Sequence, residues 1–155
     1  MVPVQFVEDL AEELKKVLNH MNFKTPAGED TEINIFQYGL PKEKTNEDSK
    51  RKFPYVLILP QEGAIPDSVS GQIVVSQLLI GIYNNDNMNH GKKDVLNVIN
   101  DICERFLKNP ILKDQYYAEE EITWVLDTED EHPYHYGAVS IVFNIPAFRR
   151  ESKYA

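Results

Sequence analysis

At 155 residues, with 42% hydrophobic and 26% charged side chains, the chain has the composition of one folded domain rather than of a disordered segment. Sixteen basic residues against twenty-five acidic ones leave a formal net charge of −9, which argues against binding along a phosphate backbone through clustered Lys and Arg. A single cysteine precludes an internal disulfide and fits a reducing compartment; no apolar run reaches the roughly 18–20 residues that a bilayer span needs, and Met1–Leu10, with Glu8 and Asp9, does not read as a signal peptide.

Val4–Met21 is predicted as an amphipathic helix, because Val7, Leu10, Leu14, Val17, Leu18 and Met21 recur at three- and four-residue steps. Pro3 is tolerated in its first turn, and Thr25-Pro26-Ala27-Gly28 breaks the pattern. Glu32–Tyr38 alternates and predicts a short strand. Pro41–Lys52, with five basic and three acidic side chains and no aliphatic one, predicts a solvated, mobile loop that trypsin cuts first at Lys50, Arg51 or Lys52. Phe53–Leu59 predicts a buried strand closed by Pro60, and Gln61–Gly71 a second loop.

Gln72–Tyr83 is the longest strand candidate, apolar on both faces from Leu78 to Ile82, and is expected to project as an arm beside the second loop. After a turn-rich stretch, Lys92–Lys108 predicts the second helix, with Val95, Val98, Ile99, Ile102, Cys103 and Phe106 on one stripe and Asn109-Pro110 ending it. Tyr116–Leu126 and Tyr136–Ile145 predict the last strand pair. Ile122, Trp124 and Leu126 share one face of the first; Val139, Ile141, Phe143 and Ile145 share one face of the second. Ala147–Ala155 is a polar tail. The order α-β-β-β-α-β-β predicts a two-layer α+β sandwich: a mainly antiparallel sheet of four to five strands with both helices on one face.

No nucleotide-binding glycine pattern and no nucleophile elbow occurs. The densest polar cluster, Asp127–His135, sets His132 and His135 three apart beside Asp127, Asp130 and Glu131. These are donors a metal would accept, but on a segment expected to be the turn joining the last two strands. Glu119, Glu120 and Glu121 alternate faces along a strand and so do not converge; an edge guard is the expected role. Cys103 lies on an apolar helix stripe, which predicts an inert core residue, and His20 and His90 sit at element ends. No catalytic residue, metal ligand or cofactor is assigned. Ile73 and Val75, with Gln61–Gly71, are the expected assembly contacts, because one small domain need not cover a stripe that long.

The segments IGIYNNDNMNHGKKDVLNVINDICERFLKNP and ITWVLDTEDEHPYHYGAVSIVFNIP carry Ile80-Gly81-Ile82-Tyr83, an HGKKDVLNVI helix entry, His132-Pro133-Tyr134, Tyr136-Gly137 and Ile145-Pro146. Over about residues 72–150 this pattern resembles the tail terminator proteins of long-tailed bacteriophages, especially those in prophages of Gram-positive bacteria; the first half matches in outline alone. The resemblance implies an α+β subunit of a hexameric ring that caps the tail tube, stops its polymerisation and offers a docking surface for the head. It implies as partners other copies of the chain, the major tail tube protein and a head-completion or neck protein, with the host cytoplasm and then the virion tail as location. It brings no catalytic residues, and the acidic balance suits a ring through which DNA passes without sticking. Two other readings compete: a head–tail adaptor or tail completion protein of similar fold, and a small metal-dependent hydrolase using His132, His135 and Asp130.

Overall fold

The computed structural model describes residues 2–45, 51–67 and 71–146. Helix α1 spans Val2–Leu18 and buries Phe6, Val7, Leu10, Ala11, Leu14 and Leu18 on one stripe. A small antiparallel pair follows, β1 (Phe23–Lys24) with β2 (Asp30–Thr31). Its turn uses Gly28 at φ 87°, where an L side chain would be strained, and Thr25 closes it by accepting the Glu29 N–H on Oγ1 at 3.2 Å. Strands β3 (Asn34–Gln37), β4 (Tyr55–Ala64) and β5 (Gln72–Tyr83), helix α2 (Lys92–Lys108), and strands β6 (Ile111–Leu112), β7 (Tyr116–Leu126) and β8 (Tyr134–Ile145) follow among the described residues.

The main sheet has six strands in the order β3-β4-β5-β8-β7-β6. This corrects the expected sheet of four to five mainly antiparallel strands, because it is mixed and larger, and a separate two-stranded sheet accompanies it. The β3–β4 pair is parallel, Ile35 opposite Val56 and Phe36 opposite Leu57. Parallel neighbours need a crossover of a dozen or more residues, and the long segment between Gln37 and Tyr55 supplies it. The two added short strands have weak patterns. The β6–β7 turn, for instance, puts Lys113 and Asp114 at φ 53° and 56° with Gln115 N–H bonded to Leu112 O, a conformation normally announced by Asn-Gly.

Two other boundaries differ from expectation. Strand β4 continues through Pro60 to Ala64, so the loop predicted from Gln61 starts later. Beyond Ile58 no β3 residue pairs with β4, so the missing proline N–H faces an edge, and the register shifts between Pro60 and Glu62. Strand β5 is no arm: it pairs with β8 along its whole length, Gln72 opposite Ile145 to Tyr83 opposite Tyr134, and with β4 on its other side.

Both helices pack on one face of the sheet. Val56, Ile58, Val74, Leu78, Ile80, Ile82, Val139, Ile141, Phe143 and Ile145 meet the buried stripes of α1 and of α2 (Val95, Val98, Ile99, Ile102 and Phe106). Phe143 lies between the helices, its ring centroid 4.9 Å from Phe6 and 5.3 Å from Phe106. Burying each such side chain contributes about 1.5–3 kcal/mol before the entropy of ordering it. Arg105 Nε joins the helices by donating to Glu13 Oε1 at 2.7 Å.

Candidate assembly surface

Side chains alternate across a strand, so every core residue of the sheet has a neighbour pointing to the face that carries no helix. On that face Tyr55, Leu57, Leu59, Leu79, Tyr83, Tyr134 and Tyr136 form a second cluster with Phe36, Leu40 and Phe53. The register explains its shape. Tyr55 and Tyr136 both stand opposite Gly81, and a Cβ at Gly81 would lie 2.3 Å from the Tyr55 ring, so the glycine gives that ring its seat. Phe53 packs 4.7 Å from Tyr134 and 5.3 Å from Tyr55, and Tyr83 lies 5.7 Å from Tyr134.

Electrostatics follow from this packing. Burial pushes the Tyr136 hydroxyl up to about 12, reinforced by Tyr55, Glu131, Tyr134 and Asp127, and burial raises Tyr55 as well. Ile73 and Val75, the expected contacts, lie on the same face farther along β5, both half-buried, opposite Ala64 and Glu62 on one side and Asn144 and Val142 on the other. The aromatic half escaped the sequence reading, although Tyr134 and Tyr136 fall out of phase with Val139, Ile141 and Phe143, and that parity marks a second apolar face.

At the described ends of Pro41–Lys52, Lys52 Nζ reaches Glu43 Oε1 at 3.0 Å and Lys52 O accepts from Asn34 Nδ2 at 3.2 Å, and the flanking Leu40 and Phe53 join the aromatic cluster. Of its three expected tryptic sites, Lys50 lies outside the described residues, as does the tail Ala147–Ala155.

The Asp127–His135 cluster separates into a turn and a buried histidine. Asp130 Oδ1 accepts from Asn89 Nδ2 at 3.3 Å and from the His132 N–H at 3.2 Å, and these bonds hold its carboxyl below the usual range. His132 Nδ1 lies 3.2 Å from Asn89 Oδ1, so the exposed imidazole braces the turn. His135 is instead the second residue of β8 and 1% exposed, which corrects its placement in the turn. Its Nε2 donates to Asn84 O at 3.2 Å, which fixes the tautomer, and its ring fills the space where a Cβ on Gly91 would be. The two imidazoles are 6.0 Å apart and do not converge with Asp130; among the described residues no group of three His, Cys, Asp or Glu side chains is placed to hold a metal.

The remaining candidates are dispersed. Glu119, Glu120 and Glu121 are exposed on β7. Cys103 is half-buried against the core, and burial raises its thiol, which makes the nucleophilic thiolate scarcer. His20 Nε2 meets Asp101 Oδ2 at 3.0 Å on the surface, and His90 is exposed. Among the described residues no helix is long and apolar enough to cross a membrane. No protein-family model and no curated protein matches the chain, so the likeness to tail terminators rests on the residues quoted for it.

Proposed function

We propose that the chain is a structural, non-catalytic subunit of a phage or prophage tail, a terminator that caps the tail tube as a ring and offers the surface to which the head joins. The observation that carries this reading is the helix-free sheet face, where Phe53, Tyr55 and Leu57 are buried while Ile73, Val75 and the rim of the aromatic cluster, Leu79, Tyr83, Tyr134 and Tyr136, stay partly exposed. A ring subunit uses partly exposed apolar side chains of this kind to hold a neighbour or the tube. The resemblance over residues 72–150 points to the same role, with further copies of the chain, the major tail tube protein and a neck protein as partners. The net charge of −9 suits a ring that DNA traverses without binding.

The test is tube growth. Tube protein from the same gene cluster is polymerised with and without this chain, and lengths are measured by electron microscopy. The wild-type chain shortens the tubes and appears at one end. Ile73→Asp with Val75→Asp leaves the circular dichroism spectrum unchanged and abolishes capping. Tubes indifferent to the wild-type chain overturn the reading, and a double variant that unfolds makes both residues ordinary core.

A further inference from the structure

Among the described residues strand β7 borders the sheet's open side beyond Ala118, because β6 pairs with it at Tyr116 and Tyr117 and the Ala118 N–H bonds to Pro110 O at 2.8 Å. Its exposed edge divides into two unlike halves. The first half is guarded: the register with β8 breaks between Ala118 and Ile122, and this irregular stretch holds Glu119, Glu120 and Glu121, all exposed. Bulges and charges are the usual devices that stop an edge from pairing with another chain. The second half, Ile122–Leu126, has neither. It is regularly paired with β8, carries no charge, and consists of Ile, Thr, Trp, Val and Leu. Trp124 on the helix side is 55% exposed and Val125 on the other side 60%, so a strand laid along this edge meets an apolar contact on both faces.

We propose that Ile122–Leu126 is a strand-addition site for an extended segment of a partner protein, apolar at alternate positions and flanked by Lys or Arg. The flanks decide the charge: Glu119–Glu121 precede the open run, and Asp127, Glu129, Asp130 and Glu131 follow it. They also argue against a second copy of the same edge. An antiparallel self-pair centred on Trp124, the register that overlaps the run fully, sets Glu121 opposite Asp127 at both ends, and like charges directly opposite destabilise a pair. A basic segment turns the same flanks into attraction, while backbone hydrogen bonds supply the rest of the affinity. The site lies on β7, two strands away from Ile73 and Val75 on the central β5, and does not depend on the tail reading.

Trp124 is the only tryptophan, so its emission reports directly on this edge. The protein is titrated with the peptide Lys-Val-Thr-Val-Thr-Val-Lys, with the same peptide carrying Glu at both ends, and with the Lys peptide N-methylated at alternate residues. The Lys peptide shifts the emission to the blue saturably and at least tenfold more tightly than the Glu peptide at low salt, and N-methylation abolishes the shift. Val125→Lys, and independently Thr123→Lys, weakens binding at least tenfold with an unchanged circular dichroism spectrum. The absence of a shift, equal affinity of the Lys and Glu peptides, or indifference to N-methylation overturns the proposal. So do dimers of the protein alone that Val125→Lys dissolves, because the occupant would then be a second copy.

Discussion

Replacing Tyr116 with phenylalanine tests how the first strand of the last pair is fastened to α1. The Tyr116 hydroxyl donates to Asp9 Oδ2 at 2.7 Å, and Gln5 Nε2 donates to Asp9 Oδ1 at 3.1 Å. Tyr116 is 1% and Asp9 8% exposed, so water does not replace the lost donor. A hydrogen bond to a charged group contributes about 1.5–3 kcal/mol, and the phenyl ring still fills the site against Phe6, 5.1 Å away. Tyr116→Phe is expected to cost about 2 kcal/mol in urea unfolding, with an unchanged slope, or about 4–8 °C in Tm. The bond also has a pH signature. Burial, then the bond to and charge of Asp9, raise the Tyr116 hydroxyl above its ordinary value near 10, and burial raises Tyr136 to about 12. A group whose folded pKa is raised contributes its stability fully below the unfolded value and loses it as pH climbs towards the folded one. Wild-type stability therefore falls from pH 10 upwards, and Tyr116→Phe flattens that fall. A loss under about 0.5 kcal/mol, or an unaltered alkaline slope, would refute the reasoning.

Three further outcomes follow from the same packing. Ser76 Oγ is buried with no hydrogen-bond partner among the described residues, so Ser76→Ala should stabilise the fold by about 1 kcal/mol in denaturant unfolding. Gly91→Ala sets a Cβ 2.1 Å from His135 Nε2, so the ring or the start of α2 must move, at a cost of about 1–3 kcal/mol in thermal unfolding. His132→Ala should change stability by less than about 1 kcal/mol, whereas His135→Ala, which empties a buried site, should cost more than 2 kcal/mol; equal losses in calorimetry would contradict the two placements.

Periodicity made part of this fold legible. The spacing of Val95, Val98, Ile99, Ile102 and Phe106 gives α2 the bounds the structure has, and alternation does the same for β5 and β7. What it did not give was pairing. Period-two patterns say which face a residue takes, not which strand lies beside it, and the parallel β3–β4 neighbours depend on a crossover that has no apolar pattern of its own. Pro60 misled for a related reason: proline ends a strand in mid-sheet but not where one side has no partner. Ile73 and Val75 were singled out from an apolar stripe longer than a small core needs, and the structure places them half-buried on a central strand instead of the expected arm. The aromatic cluster was not found, because it joins Tyr55, Tyr83 and Tyr134 from three strands, and Phe53 just before one of them, around Gly81, a juxtaposition that exists only once the register is set.

Capping is the central claim, and tail length measures it most directly. Identical rings template one another, so a tube stops only when a different subunit matches its end on one face and refuses the next ring on the other. On the proposed terminator reading, deleting the gene from its phage or prophage should give lysates whose tails, in the electron microscope, are of uncontrolled and excessive length and bear no heads. Tails of normal length beside filled, unjoined heads would contradict the terminator assignment and favour a head–tail adaptor, and normal virions would contradict both.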